Sequence, residues 1–249
     1  MNHPVALITG ALTGIGRATA IAFAQEGARV VISGRREEAG QALAAELRAM
    51  GAEAEFLCAD VRFEADVRQL IEHTLQRFGR IDVAVNNAGT EGQSGPVTEQ
   101  SVDNYESTFA TNVLGTLLSV KHEMRAMLAQ GSGSIINLSS VAGKIGFPGA
   151  AVYVASKHAV EGITKSAALE GAAAGVRVNA VAPGPVATDM LDRFTGGSEE
   201  AKSGFLASIP AKRAAAIDEI VQTILFLGSD KARYLTGQSV GVDGGYTAQ

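Results

Sequence analysis

Short apolar runs rich in β-branched residues recur along the chain, and stretches with helical periodicity lie between them. Seven such runs predict strands at residues 5–8, 29–33, 55–58, 81–85, 134–138, 176–181 and 239–242. Several runs are continuous rather than alternating in polarity, which is typical of strands covered on both faces. The alternation of strands and helices therefore predicts an α/β fold with a doubly wound parallel sheet of about seven strands.

Two apolar stripes predict helices between these strands. Apolar residues recur at helical spacing at Ala18, Ile21 and Ala22, and again at Val67, Leu70, Ile71 and Phe78. Gly79 follows the second stripe as an expected C-cap. The segment 191–210 is the longest stretch off this pattern, and its adjacent glycines predict a mobile loop. No linker-like segment interrupts the alternation, so we expect a single domain over residues 1–249.

The composition excludes several classes of protein. Hydrophobic residues make up 46% and charged residues 19% of the chain, which excludes a disordered protein. The formal net charge is −5 without a basic cluster, so we expect no nucleic-acid partner. The apolar runs are too short to cross a membrane, and the N-terminus is typical of a first strand rather than a signal peptide.

Residues with redox or metal-binding chemistry are sparse. The single cysteine, Cys58, makes an internal disulfide impossible and favours a reducing, cytoplasmic setting. Because Cys58 lies in an apolar run, we expect it to be a buried small hydrophobe. The four histidines are scattered without ligand spacing, so we predict no metal site.

Three glycines mark the turn between the first predicted strand and the following helix. Gly10, Gly14 and Gly16 occupy this turn in "LITGALTGIGRA". Glycine there lets the backbone approach a pyrophosphate, and the helix N-terminus stabilises the negative charge. A turn made for packing alone is the alternative, but the strand before and the helix after favour dinucleotide binding.

The spacing "TGxxxGIG" is followed by further motifs in a characteristic order. "NNAG" (86–89) follows the fourth predicted strand, "NLSS" precedes "YVASK" (153–157), and "PGPVAT" (183–188) and "VDGG" (242–245) come later. Across essentially the whole chain, this set resembles the short-chain dehydrogenase/reductase family. The resemblance implies a Rossmann-like fold and hydride transfer between a nicotinamide cofactor and the carbonyl or secondary alcohol of a small molecule. It also implies a homo-oligomer, usually a tetramer.

The resemblance implies a catalytic role for Asn112, Ser140, Tyr153 and Lys157. Tyr153 would be the general acid/base, Ser140 would donate to the substrate oxygen, and Asn112 would hold a water beside Lys157. Independently of the family, Tyr153 and Lys157 lie four residues apart on a predicted helix and are therefore neighbours. A cation there would lower the tyrosine pKa from about 10 toward the range of a working base. Ser139 is expected to cap a loop. The alternatives are that Tyr153 and Lys157 form an ordinary surface pair, and that Asn112 only bonds to the backbone.

The end of the second predicted strand bears on the choice of cofactor. Gly34 stands where NAD-specific relatives usually carry Asp, and Arg35 follows it. Arginine can bind a phosphate with two parallel hydrogen bonds, and Ser33 could add a third. Thr13 favours NAD(H) instead, because many NADP-specific relatives have a basic residue at this position. We therefore predict NADP(H) as the favoured cofactor, with NAD(H) as the alternative.

The expected cofactor contacts come mostly from turns that follow strands. The full set is Gly10, Thr13, Gly14, Ile15, Gly16, Ser33, Arg35, Asp60, Val61, Asn87, Ala88, Gly89, Tyr153, Lys157, Pro183, Gly184, Val186 and Thr188. Most of these assignments rest on the resemblance, and without it Asp60 could be a simple turn residue.

The substrate depends on three segments outside the motifs, residues 90–97, 141–152 and 189–210. They contain Phe147, Met190 and Phe194, which could wall an apolar pocket, and Glu91, Lys144 and Asp189, which could bind a polar group or face water.

Three other functions compete with a small-molecule oxidoreductase. Many relatives of this size are 3-oxoacyl-acyl-carrier-protein reductases, but Ala174 and Gln130 lie where those relatives often carry arginine. An acidic chain is also poorly steered toward an acidic carrier. A non-catalytic NAD(P)-binding sensor would be expected to lack Tyr153 or Lys157, and a sugar-nucleotide epimerase would have a different glycine spacing. We therefore predict an enzyme that acts on a free small molecule.

Overall fold

The structure, a computed structural model, describes residues 3–249. Its strands are β1 (Val5–Thr9), β2 (Arg29–Gly34), β3 (Ala54–Cys58), β4 (Val83–Asn86), β5 (Gly133–Leu138), β6 (Val176–Pro183) and β7 (Ser239–Val242). They form one parallel sheet in the order β3-β2-β1-β4-β5-β6-β7. The predicted Rossmann-like sheet is confirmed. The fourth strand begins at Val83 rather than at residue 81, and the Asp82 carboxylate just before it accepts a hydrogen bond from the Val5 amide.

Helices cover both faces of this sheet. They are α1 (Gly14–Gln25), α2 (Glu37–Ala49), α3 (Glu64–Phe78), α4 (Val102–Phe109), α5 (Gly115–Gln130), α6 (Ala151–Gly171), α7 (Asp189–Phe194), α8 (Glu199–Ala207) and α9 (Ile217–Gly228). A π-helical turn, Ala110–Leu114, joins α4 to α5. Buried residues of α1, α2 and α9 form one core with the sheet, and those of α3, α5 and α6 form the other. No helix within residues 3–249 is both long and apolar enough to span a bilayer.

The two predicted helical stripes have different outcomes. The α3 stripe is confirmed, because its four apolar residues are buried and Gly79 ends the helix with φ of 76°. The α1 stripe is wrong in phase, since the fully buried face carries Ala20, Phe23 and Ala24. The predicted residues Ala18, Ile21 and Ala22 face α9 instead. Because α1 packs against the sheet and also beside α9 on the same face of the sheet, it contacts apolar residues on two of its sides.

Two further expectations are corrected by the structure. The segment 191–210 is not one loop, because it contains most of α7 and all of α8, separated by Gly196 and Gly197, which both have positive φ. Cys58 is exposed rather than buried. It ends β3, and an edge strand has a neighbour on one side only, so its apolar run does not imply a covered side chain.

Candidate active site

The carboxyl ends of the strands open into one cleft. The strand order reverses between β1 and β4, and in doubly wound sheets the ligand crevice lies at this point. A polar groove runs from the Gly10 turn to the end of β2. A more apolar pocket adjoins the groove, and Ile15, Asn87, Gly89, Thr188 and Met190 line both. The two cavities are therefore continuous.

The glycine turn after β1 is built so that backbone lies close to backbone. Gly10 has φ of 62°, and a Cβ at this position would lie 2.7 Å from Ala88 Cα. Asn87 Nδ2 donates to the Gly10 carbonyl at 2.9 Å and ties the turn to the end of β4. A side chain at Gly10 would collide with the backbone after β4, so the position requires glycine, and the turn fits the pyrophosphate of a dinucleotide placed at the start of α1.

Most of the expected cofactor residues lie along this continuous cleft. The groove is lined by Gly10, Thr13, Gly14, Ile15, Arg35, Asp60, Val61, Asn87, Ala88, Gly89 and Thr188. The apolar pocket is lined by Tyr153, Lys157, Pro183, Gly184 and Val186. The sequence motifs therefore converge in space although they are spread over most of the chain.

Two of the expected cofactor residues lie outside the cleft. Ser33 is fully buried within β2, and its hydroxyl has no hydrogen-bond partner among the described residues. It therefore cannot reach a phosphate in the groove, which corrects the prediction that it would add a hydrogen bond. Gly16 does not line the groove either. A Cβ on Gly16 would overlap the Asn87 amide and the Gly10 carbonyl, so this glycine serves the packing of α1 on the turn.

The end of the groove beside β2 is positively charged. Arg35 and Arg36 both line it and are both exposed, although the sequence argument named only the first. Within residues 3–249, Arg35 has no ion-pair partner. The Asp60 carboxylate is held by Arg62 through contacts of 2.6–3.0 Å, and this hydrogen bonding lowers the Asp60 pKa despite partial burial. The groove therefore offers free guanidinium groups where a cofactor phosphate would lie.

Ser140, Tyr153 and Lys157 all line the apolar pocket, and Lys157 lies next to Gly89, which also lines the groove. Lys157 Nζ lies 5.8 Å from the centre of the Tyr153 ring and donates to the Leu138 carbonyl at 2.7 Å. The Ser140 hydroxyl oxygen accepts from the Ala142 amide at 3.1 Å, which leaves its hydrogen free to be donated. The capping expected of Ser139 is thus performed by Ser140, while the Ser139 hydroxyl is buried without a partner among the described residues.

Burial dominates the protonation of the Tyr153–Lys157 pair. It raises the pKa of Tyr153, hydrogen bonding with Ser140 acts in the opposite direction, and the Glu91 carboxylate raises this pKa further. Burial also lowers the pKa of Lys157 to about 8, against the effect of Glu161. The predicted lowering of the tyrosine pKa by Lys157 is therefore wrong in direction, because the desolvation of the phenol outweighs the effect of the neighbouring charge.

Asn112 lies beside the cleft rather than in its wall. It is buried in the π-helical turn, and its amide joins the Thr90 backbone to the Ser156 hydroxyl. Nδ2 donates to the Thr90 carbonyl at 2.8 Å and to Ser156 Oγ at 3.0 Å, and Oδ1 accepts from the Thr90 amide at 2.8 Å. Asn112 therefore fixes the loop after β4 against α6, which carries Tyr153.

The apolar pocket has walls from the loop after β5 and from α7 and α8. Of the expected wall residues, Phe147, Met190 and Phe194 do line it. The same three segments also supply lining residues that were not predicted individually, because no local motif marks them: Thr90, Val141, Ala142, Leu191 and Phe205. Lys144 lies outside the pocket and donates to the Ser239 carbonyl at 2.8 Å. Asp189 lines the cofactor groove instead.

An ion pair links the two sides of the pocket entrance. Glu91 in the loop after β4 contacts Arg193 of α7, with Nε 2.5 Å and Nη2 3.4 Å from its carboxylate oxygens. Glu91 lines the apolar pocket and Arg193 lines the groove, so their contact spans the junction between the two. Among the described residues, no group of three or more His, Cys, Asp or Glu side chains is arranged to hold a metal ion.

Comparison with known proteins agrees with this geometry. A family model described as "Enoyl-(Acyl carrier protein) reductase" matches residues 10–247. The chain is 42% identical over 248 residues to an A-factor type gamma-butyrolactone 1'-reductase (1S-forming) of Streptomyces virginiae, across 99% of this chain and 96% of that protein. It is also 41% identical over 242 residues to a 3-oxoacyl-acyl-carrier-protein reductase of Staphylococcus aureus, across 96% of each.

Solved structures give the same result. A levodione reductase superposes with a TM-score of 0.95 at 35% identity, covering 98% of each chain. A gluconate 5-dehydrogenase from Burkholderia cenocepacia in complex with NADP and tartrate superposes with a TM-score of 0.94 at 34% identity, covering 100% of this chain and 97% of the other. The chain belongs to the short-chain dehydrogenase/reductase family and is an oxidoreductase that transfers hydride between a nicotinamide cofactor and the carbonyl or alcohol group of a small molecule.

Proposed function

We propose that this protein is an NADP(H)-preferring enzyme that interconverts a free, small-molecule carbonyl compound and its alcohol, with Tyr153 as the general acid/base. The observation that carries the proposal is the meeting of Tyr153, Ser140 and Lys157 in the apolar pocket that adjoins the groove. When bound, the nicotinamide supplies or accepts the hydride. The carbonyl oxygen would then lie beside the Ser140 and Tyr153 hydroxyls.

The proposed roles follow from the hydrogen bonds of each side chain. The Ser140 hydroxyl oxygen accepts from the Ala142 amide, and its hydrogen, which can also be shared with Tyr153, would be donated to the substrate oxygen, where negative charge develops during reduction. Tyr153 is held protonated by burial, so it would deliver its proton to that oxygen during reduction and remove it during oxidation. Lys157 would stabilise the phenolate that is left. Asn112 would act as a positioning residue through Thr90 and Ser156.

The preference for NADP(H) is supported by the free arginines at the adenine end of the groove. Arg35 and Arg36 line this end, and Gly34 offers no carboxylate that would repel a 2′-phosphate. The gluconate 5-dehydrogenase described above is a complex with NADP. NAD(H) remains the alternative, and separate measurements with the two cofactors distinguish them.

A free substrate is favoured over one bound to a carrier protein, although the Staphylococcus aureus relative acts on the carrier-bound form. Gln130 is neutral, and its amide is bound to both backbone groups of Ile81. Ala174 adds no charge, and of the two basic residues nearer the pocket Arg193 is paired with Glu91, which leaves only the charge of Lys144, whose ammonium donates to the Ser239 carbonyl. An acidic carrier would therefore find few free cations.

The test is a kinetic screen of ketones and secondary alcohols with NADP(H) and NAD(H) separately. Tyr153→Phe keeps the ring and removes the proton, so we expect a loss of at least ~100-fold in kcat with cofactor binding retained. Tyr234→Phe, at a fully exposed tyrosine, is the matched control. A near-normal kcat for Tyr153→Phe would refute the assignment. The free substrate would be refuted if kcat/KM were much higher for a 3-oxoacyl carrier protein than for the same acyl group on a short thioester, and if salt abolished this difference.

We also propose a homotetramer that works in the cytoplasm. The assembly is supported by the resemblance to the family and by leucines that stand exposed on α5 and α6. The location is supported by the single cysteine, which suits a reducing compartment. We likewise propose that residues 1–249 form a single domain.

A further inference from the structure

Four aromatic side chains from three separate segments meet beside the apolar pocket. Phe147 comes from the loop before α6, Phe194 and Phe205 from α7 and α8, and Tyr246 from the C-terminal tail. The Phe147 and Tyr246 rings are stacked, with centroids 5.8 Å apart and 11° between their planes. Phe205 meets both rings edge-on at 6.3 Å. These are favourable geometries for ring pairs, so the four side chains act as one cluster.

Tyr246 belongs to the cluster without lining the pocket. Phe147, Phe194 and Phe205 line it, whereas Tyr246 contacts Phe147 and Phe205 from outside the lining. All four rings are half-buried. Tyr246 therefore supports the two phenylalanines that a substrate would touch.

Hydrogen bonds hold the tail on both sides of Tyr246. The Asp243 carboxylate accepts from the amides of Gly245 and Thr247 at 3.0 Å each and from the Thr247 hydroxyl at 2.6 Å. Gln249 Nε2 donates to the Ser208 carbonyl at 3.3 Å, and the Gly244 carbonyl accepts from the Ala211 amide at 3.1 Å. The tail is thus tied to the end of α8, and the position of Tyr246 is defined by the fold.

The pocket contains few charged side chains. Of the residues that line it, Glu91 and Lys157 are the charged ones. Glu91 is paired with Arg193, and Lys157 donates to the Leu138 carbonyl beside Tyr153. Away from Lys157, which stands beside Tyr153 at the reaction centre, the pocket therefore offers a charged substrate group no free counter-ion, and such a group would be desolvated there without a partner.

We propose that Tyr246 is a specificity-determining positioning residue, which holds Phe147 and Phe205 so that the pocket selects an uncharged carbonyl compound that carries a ring. The proposal rests on the proposed function, because it names the substrate class of the same site. Aromatic walls favour a ring through stacked and edge-on contacts that a short alkyl chain cannot make.

The test compares three methyl ketones with NADPH: acetophenone, its carboxylated analogue 4-acetylbenzoate, and butan-2-one. We expect the wild type to favour acetophenone over each of the others by about tenfold or more in kcat/KM. Tyr246→Ala should raise KM for acetophenone about tenfold and change kcat/KM for butan-2-one by less than about twofold, because the short chain makes no ring contacts. Tyr246→Phe should restore the wild-type values, since the stacked ring is retained. Tyr234→Ala, at an exposed tyrosine, should change nothing.

Other results would contradict separate parts of the proposal. Tyr246 would have a merely structural role if Tyr246→Ala lowered kcat/KM equally for acetophenone and butan-2-one. The same would follow if Tyr246→Phe melted like the wild type but did not restore KM for acetophenone. A preference for 4-acetylbenzoate would refute the uncharged substrate. If the wild type oxidises NADPH with other ketones of the screen but with none of these three, the proposed substrate class is wrong, whereas only inactivity throughout the screen would refute the proposed function itself.

Discussion

Arg35 is the side chain on which the proposed preference for NADP(H) chiefly depends. It lines the adenine end of the groove, is exposed, and has no ion-pair partner among the described residues. We expect Arg35→Ala to weaken NADPH binding by about 1.5–3 kcal/mol, the usual contribution of hydrogen bonds to a charged group. Binding of NADH should barely change, because it has no 2′-phosphate. Titration calorimetry or fluorescence with each cofactor measures this difference.

Arg17 provides the control for this experiment. It lies on the same side of the sheet, but its guanidinium is paired with Glu46 of α2 at 2.6 Å and does not line the groove. Arg17→Ala should therefore leave both cofactor affinities unchanged. Equal losses of NADPH and NADH binding in Arg35→Ala, or a wild-type preference for NADH, would contradict the phosphate-binding role.

At the residue scale, the sequence was informative wherever a function needs neighbours along the chain. Tyr153 and Lys157 face the same pocket because four residues make about one turn of α6. Burial was not predictable in the same way, because it depends on segments that pack from elsewhere. Ser33 is covered and Cys58 is not, and the desolvation of Tyr153 reverses the direction expected for its pKa.

At the scale of elements, a buried polar network joins β4 and β5 to helices α5 and α6. Asn86 Nδ2 donates to Glu123 Oε2 at 2.8 Å and to Asn137 Oδ1 at 3.0 Å. Asn137 Nδ2 donates to the Thr164 hydroxyl at 2.9 Å. Burial raises the pKa of Glu123 to about 7, and the hydrogen bond from Asn86 offsets this only in part. Glu123 therefore binds its proton more tightly in the folded state than in the unfolded state.

Because folding strengthens proton binding by Glu123, the free energy of unfolding depends on pH in a defined direction. A carboxyl with a raised folded-state pKa makes its full contribution to stability below its ordinary pKa, and this contribution is lost as pH rises through the folded-state value. Between the ordinary value of 4.5 and about 7, the loss amounts to at most about 3 kcal/mol. Glu123→Gln cannot ionise, so we expect it to be more stable than the wild type at pH 8 and nearly equal to it at pH 5.

Urea unfolding of both proteins at the two pH values measures this effect. Glu170→Gln, at an exposed position of α6, is the matched control and should show no such pH-dependent gain. If Glu123→Gln were less stable than the wild type at pH 8, the ionised carboxylate would have to be a net stabilising member of the network, and the argument from burial would be wrong.

The elements themselves were predictable to the extent that each has its own periodicity. The seven strands and the stripe of α3 follow directly from continuous apolar runs and helical spacing. The short helices α7 and α8 were not predictable, because they bury few side chains and carry adjacent glycines between them. The contacts around the pocket could not be predicted from the sequence, because they join distant segments. Glu91 and Arg193 are 102 residues apart, and Tyr246, near the end of the chain, packs on Phe147.

At the scale of the whole molecule, helices α5 and α6 expose leucine side chains. Leu117 and Leu128 of α5 are 47% and 41% exposed, and Leu169 of α6 is 83% exposed. The same two helices bury their other faces against the sheet. Exposed apolar side chains on adjacent helices are typical of an interface, and a two-fold axis there would place the same surface on both subunits.

We therefore expect light scattering at micromolar concentration to give about four times the chain mass of 25.6 kDa. Leu169→Glu should lower this mass, because a carboxylate buried at a symmetric interface would have no partner and would face its own copy. Met50→Glu is the matched control, since Met50 is also exposed but follows α2 on the opposite face of the sheet. A wild-type protein with the mass of one chain would contradict the assembly, and an equal effect of both substitutions would show that the leucine on α6 has no particular part in it.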